Sequence, residues 1–105
     1  MTDILQRLTE IIEQRRQSDP SESYVASLFS KGQDAILQKV GEEAVETILA
    51  VKNGKRDRVV SETADLWFHT LVMLAECNLA PGDVFAELER RFGLSGIAEK
   101  ASRQG

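Results

Sequence analysis

Glu42, Glu43 and Glu46 lie within five consecutive positions, and Glu62 and Asp65 follow with the same one-turn spacing, so five carboxylates fall in a single short stretch of the chain. On a helix, residues three or four apart share a face, so Glu43 and Glu46 form one pair and Glu62 and Asp65 another. If the two helices form a hairpin, the pairs meet. Glu46 and Glu62 are each about eight residues from the Asn53-Gly54 turn, and Glu43 and Asp65 lie one turn further out at roughly 1.5 Å rise per residue. Acids brought together in this way repel one another unless a cation lies between them. A donor set made only of oxygens suits a hard divalent ion, Mg²⁺ or alternatively Mn²⁺, better than zinc. One such acidic pair alone would more simply be a solvated face. The second pair, set in the only polar stripe of an apolar helix, favours metal binding.

The helix that carries Glu62 and Asp65 runs from about Asp57 to Cys77. Val59, Val60, Ala64, Leu66, Trp67, Phe68, Leu71, Met73, Leu74 and Ala75 cover most of its wheel, the pattern of a helix buried nearly all round. Its polar stripe holds Arg58, Glu62, Asp65, His69 and Glu76. His69 fits a residue hydrogen-bonded behind the carboxylates better than a general base. The preceding helix, Gln33 to Lys52, spreads Ile36, Leu37, Val40, Ala44, Val45, Ile48, Leu49 and Val51 over more than half its wheel. Gly41 in its interior costs roughly 1 kcal/mol relative to Ala and is read as a point of close helix packing. Lys31, Lys39, Lys52, Lys55 and Arg58 are open to two readings, a solvated face or a phosphate clamp.

The remaining elements are also helical. Ile4 to Arg16 places Ile4, Leu5, Leu8, Ile11 and Ile12 in one stripe. The polar link from Gln17 to Ser23 ends in good N-cap residues, and Tyr24 to Ser30 is then a short helix or turn that stops near Gly32. Pro81 opens a further helix with Asp83 in its first turn and Arg90 and Arg91 in its last, ending near Gly93. Ser95 is expected to cap a final short helix holding Ile97 and Ala98, before a frayed tail at Ser102 to Gly105. The expected fold is all-α, a single domain over residues 1–105.

Composition narrows the function classes. The 105 residues are 42% hydrophobic and 29% charged, as in a packed globular chain. A net charge of -4 argues against a protein that holds nucleic acid by neutralising phosphates. The single cysteine, Cys77, and single histidine, His69, exclude a disulfide within the chain and a four-ligand zinc site, and they suit a reducing cytoplasm. No signal peptide, transmembrane helix or membrane partner is expected.

Gly41-Glu42-Glu43-Ala44-Val45-Glu46 followed by Glu62-Thr63-Ala64-Asp65-Leu66-Trp67-Phe68-His69 resembles the E-E-x-x-E, E-x-x-D signature of the MazG-like all-α nucleotide pyrophosphohydrolases. Within them, Ser23-Tyr24-Val25-Ala26-Ser27-Leu28-Phe29, Lys31-Gly32 and Lys39-Val40-Gly41-Glu42-Glu43 are most similar to the phosphoribosyl-ATP pyrophosphohydrolases of histidine biosynthesis, over about Leu5 to Phe92. Phe68 stands where tyrosine is frequent in that family, and Trp67 where a smaller aliphatic is usual, so no aromatic hydroxyl is given a role there. The resemblance implies hydrolysis of 1-(5-phosphoribosyl)-ATP to the AMP derivative and pyrophosphate, with Glu43, Glu46, Glu62 and Asp65 holding metal. Glu42 or one of those four would take the proton from water. Lys31 and Lys39 would contact phosphate, and Tyr24 and Ser27 would line the substrate site. A fused cyclohydrolase activity, which needs cysteine ligands, is implausible with one cysteine.

Two other functions fit less of this pattern. One is a pyrophosphohydrolase of the same fold acting on free or noncanonical nucleoside triphosphates, and the other is a non-enzymatic helical dimer. The apolar circumference of the two central helices exceeds what one chain of short helices can cover, and this, with the resemblance, predicts a homodimer.

Overall fold

The computed structural model describes residues 3–93, and the expected last helix and tail lie outside the described residues. Five helices follow one another: α1 (Ile4–Arg16), α2 (Tyr24–Lys31), α3 (Gln33–Lys52), α4 (Arg56–Glu76) and α5 (Pro81–Phe92). No strand occurs among the described residues, in agreement with the all-α expectation.

Local chemistry accounts for the breaks. The Ser23 side chain accepts the Ala26 N–H at 3.1 Å and so starts α2. Gly32, at φ 100°, ends α2 and admits α3 directly behind it, a backbone state a side chain would strain. Between α3 and α4 the chain reverses over Asn53, Gly54 and Lys55, with Gly54 at φ 67°. This short link makes the two helices an antiparallel pair, and theirs is the most extensive contact in the chain. Asn78 at φ 60° closes α4, and the Asp83 carboxylate accepts the Ala80 N–H at 2.9 Å where α5 begins.

The core is confined to one end of the α3–α4 hairpin. Ile12 of α1, Val25 and Leu28 of α2, Ile36 of α3 and Leu71, Val72 and Ala75 of α4 form it, with Phe29 and Phe68 packed at its edge. Beyond that end the hairpin projects as a two-helix arm. The radius of gyration is 16.5 Å, against about 13 Å for a compact chain of this length.

Two expectations are corrected within this frame. First, α4 is not buried nearly all round, because only His69, Leu71, Val72 and Ala75 are buried on it, while Val60 and Trp67 are exposed. Four other helices cannot wrap both its sides, since α1, α2 and α5 reach only the core end. Second, a Cβ added at Gly41 would meet no described atom outside its own helix within 4 Å, so packing among the described residues does not account for that glycine. No described helix is long and apolar enough to cross a membrane.

Candidate active site

The hairpin brings Glu43 of α3 together with Glu62 and Asp65 of α4, with one carboxylate oxygen from each lying within 4.8 Å of the others. Glu43 and Glu62 are partly buried and Asp65 is exposed, so the group is open to solvent on one side. Opposite oxygens of an octahedral Mg²⁺, at about 2.1 Å each, stand about 4.2 Å apart, so small side-chain adjustments would bring the carboxylate oxygens onto such an ion. The donors are all carboxylates, the hard ligand type such an ion prefers.

Glu46 is not in this group. It is exposed one turn nearer the hairpin turn, on an open cleft that Lys55 and Arg58 also line. The height matching read from the sequence placed four acids together. The observed cluster instead pairs Glu43 with both acids of α4, because one turn along α3 shifts Glu46 toward the basic residues at the turn.

Lys39 stands one turn before Glu43 and reaches it at 3.5 Å, with Glu42 at the same distance. Partial burial opposes its charge, but the Tyr24 phenolate that forms where lysine titrates, with the carboxylates of Glu43 and Glu42, outweighs that and holds its ammonium above the usual lysine value. Glu42 is exposed and accepts a hydrogen bond from the Gln38 amide at 2.9 Å. That bond, and then the Lys39 charge, keep Glu42 below the usual carboxylate range. Glu42 is therefore ionised at neutral pH and adjoins the three-carboxylate group without belonging to it. Lys31 ends α2, exposed, and Ser27 donates its hydroxyl to the Tyr24 carbonyl at 2.7 Å, so neither is drawn to the acids.

His69 is the one buried polar side chain among the described residues. Its Nδ1 lies 2.7 Å from the Asp65 carbonyl and its Nε2 2.8 Å from the Tyr24 hydroxyl. A carbonyl only accepts, so Nδ1–H is the donor there, and in the neutral ring Nε2 accepts the Tyr24 O–H. The ring thereby pins α2 to the turn of α4 that carries Asp65. Phe68 and Tyr24 meet it edge-on, at 5.0 and 5.8 Å between centroids. Loss of hydration raises the Tyr24 pKa, Lys39 opposes this, and Glu43 and Asp65 add to it, which keeps the hydroxyl protonated as a donor. Tyr24 was named from the sequence only as lining the site. No periodicity relates it to His69, 45 positions away, so the bond is a product of tertiary packing.

Tyr24→Phe leaves Nε2 of a buried ring without its donor, a loss of about 1 to 3 kcal/mol. The expected result is a melting temperature lower by roughly 5 to 15 °C at this chain size, followed by circular dichroism. An unchanged melting curve would show that solvent replaces the hydroxyl.

Known proteins of similar sequence indicate the family. A family model described as phosphoribosyl-ATP pyrophosphohydrolase matches residues 5–92. The chain is 57% identical over 102 residues to a phosphoribosyl-ATP pyrophosphatase of Methylococcus capsulatus, covering 97% of each. It is 61% identical over 101 residues to one from Geobacter sulfurreducens, covering 96% of this chain and 94% of that one. A third, from Nitrosomonas eutropha, is 54% identical over 100 residues, 95% of this chain and 86% of the relative.

Proposed function

The chain belongs to the phosphoribosyl-ATP pyrophosphohydrolase family, and we propose that the carboxylates joining α3 to α4 carry that family's hydrolysis with a divalent cation, Mg²⁺ by preference, held among them. The enzyme is a hydrolase of histidine biosynthesis that converts 1-(5-phosphoribosyl)-ATP to 1-(5-phosphoribosyl)-AMP and pyrophosphate. The observation that carries the site assignment is the approach of Glu43, Glu62 and Asp65 to within 4.8 Å. Glu46, one turn away, would be the fourth oxygen donor.

The reaction sets three demands on these residues. Charge on the triphosphate has to be neutralised, a water molecule aligned with phosphorus, and the departing pyrophosphate stabilised. A net charge of -4 leaves the chain unable to neutralise the polyanion by itself. A divalent cation held by Glu43, Glu62 and Asp65 would supply that charge and polarise the phosphoryl oxygens. Lys39, held protonated beside Glu43, donates to phosphate from the α3 side. Glu42, ionised and free of the metal-holding group, takes the proton of the attacking water. His69 holds the Asp65 turn in place through its carbonyl, and Tyr24 anchors that ring. Lys31 is exposed at the end of α2, the helix that also carries Tyr24 and Ser27, and would serve as a further phosphate contact once substrate is bound. The single exposed Cys77 suits a reducing cytoplasm, and a homodimer built on the apolar faces of α3 and α4 completes the assembly.

The test offers the purified protein phosphoribosyl-ATP beside a panel of deoxynucleoside triphosphates and follows pyrophosphate. Phosphoribosyl-ATP should turn over fastest, activity should vanish with excess EDTA, and Mg²⁺ should restore it. Faster turnover of a deoxynucleotide, or full activity in EDTA, would overturn the reading.

A further inference from the structure

Arg15 and Arg16 are neighbours at the end of α1 with different surroundings. Arg16 is taken up by the Glu13 carboxylate and the Ala75 carbonyl, both at 3.1 Å, and its guanidinium lies 4.4 Å over the Phe29 ring. Arg15 is exposed and pairs with no carboxylate among the described residues. It lines a cleft of about 560 Å³ between α1 and the start of α2, together with Ser18, Glu22, Tyr24 and Phe68. The size is in the range of small-molecule sites.

Tyr24 belongs to both this cleft and the acidic site. Its ring lines the cleft and stacks toward Phe68 at 6.3 Å and 25°, while its hydroxyl bonds His69 beside Asp65. One tyrosine therefore separates an open, arginine-edged cleft from the carboxylates. The substrate has a matching polarity. Phosphoribosyl-ATP carries a triphosphate at one end and the 5-phosphate of a second ribose at the other, and free nucleoside triphosphates lack the second phosphate.

We propose that this cleft is the subsite for the phosphoribosyl end of the substrate, with Arg15 as the residue that reads its phosphate. The proposal rests on the function argued above. The triphosphate, placed at the carboxylates, needs a cation between two sets of negative charge. The remote monophosphate meets a guanidinium that no described carboxylate pairs with, whose fork of N–H donors matches phosphate oxygens with no metal. Ser18 offers a hydroxyl beside it. Glu22 accepts hydrogen bonds from ribose hydroxyls, and the Phe68–Tyr24 wall gives an apolar face for sugar or base. Arg15 then determines specificity and takes no part in bond cleavage, because it lies outside the carboxylate group.

The experiment compares the wild-type enzyme with Arg15→Gln and Arg15→Lys. For phosphoribosyl-ATP, the Gln variant should raise KM about 10- to 100-fold, the loss expected for one charge-assisted contact, with kcat within about twofold. Its affinity for Mg²⁺-ATP by calorimetry should be unchanged, and Arg15→Lys should recover part of the KM. Melting temperature should not move, since Arg15 is exposed. An unchanged KM, or an equal loss of affinity for ATP, overturns the cleft assignment. If the wild-type enzyme prefers deoxynucleotides, the functional reading fails and the assignment with it; if it prefers phosphoribosyl-ATP and the Gln variant keeps the same KM, only the assignment fails.

Discussion

The double variant Glu62→Gln, Asp65→Asn is expected to lose at least about 10³-fold in turnover, equivalent to about 4 kcal/mol at 1.36 kcal/mol per tenfold, while the helical fold is retained. Both substitutions preserve size and remove charge. Glu62 and Asp65 provide two of the three oxygens gathered within 4.8 Å, so their amides leave Glu43 as the only charged donor of that group. Weakened cation binding and lost activity should therefore go together. Stability should move the other way in the absence of metal, because two members of a mutually repelling group are neutralised and neither carboxylate makes a hydrogen bond or ion pair among the described residues.

Two readouts separate this account from a structural role for the acids. Mg²⁺ should raise the melting temperature of the wild-type protein, as any ligand of the native state does, and should leave the double variant unaffected. Helical circular dichroism should be the same for both. A double variant that still releases pyrophosphate at the wild-type rate would refute the carboxylate mechanism and favour a non-enzymatic role for the acids. One that unfolds at room temperature would show that the group is structural.

Much of this frame was legible in the sequence, for identifiable reasons. Apolar spacing together with Gly32, Asn53-Gly54 and Pro81 placed α1, α3 and α5 at the bounds observed, and moved α4 by one residue at each end, Arg56–Glu76 against Asp57–Cys77. The acidic residues were conspicuous because few helices place carboxylates in the middle of an apolar wheel. Side-chain reach was less legible. Counting residues from the turn gives heights along an axis but not how far each carboxylate extends, and so it groups Glu46 with Glu43, Glu62 and Asp65, while the observed group holds only the last three. The Tyr24–His69 bond and the Arg15 cleft had no local signal at all, since each depends on how α1 and α2 settle against α4. Wheel arguments also treated every apolar residue as buried. They cannot distinguish burial within a chain from burial between chains, which is why α4 was assigned a fuller environment than this chain provides.

That missing environment leads to the second large effect, Ile48→Asp. Leu37, Val45 and Ile48 on α3 are 45%, 54% and 60% exposed, and Gly41 falls into the same stripe at four-residue spacing. Val60 and Trp67 continue the apolar surface on α4 at 71% and 56%. A monomer seldom leaves an apolar face of this extent in water, and among the described residues no other helix covers the hairpin arm that carries it. Gly41 then gains an explanation that the single chain withholds. With no described atom near a Cβ there, the glycine would leave room for a second backbone to approach α3 closely, as a second copy of the hairpin could. In a homodimer Ile48 would be buried near the centre of that contact, where a carboxylate without a partner costs several kcal/mol. Ile48→Asp should halve the mass measured by light scattering at micromolar concentration and lower the melting temperature by about 10 °C or more, given about 4 to 8 °C per kcal/mol at this size. In a monomer the same change would place a charge on an already solvated helix face and shift stability by no more than about 0.5 kcal/mol. A wild-type protein that scatters as a monomer would exclude the dimer, and a variant that remains dimeric would place the contact elsewhere than on the Gly41–Ile48 stripe. Because that stripe adjoins Glu43 and Lys39 on the same helix, dimer loss should also lower turnover, through movement of α3 relative to α4 and without any change to the carboxylates themselves.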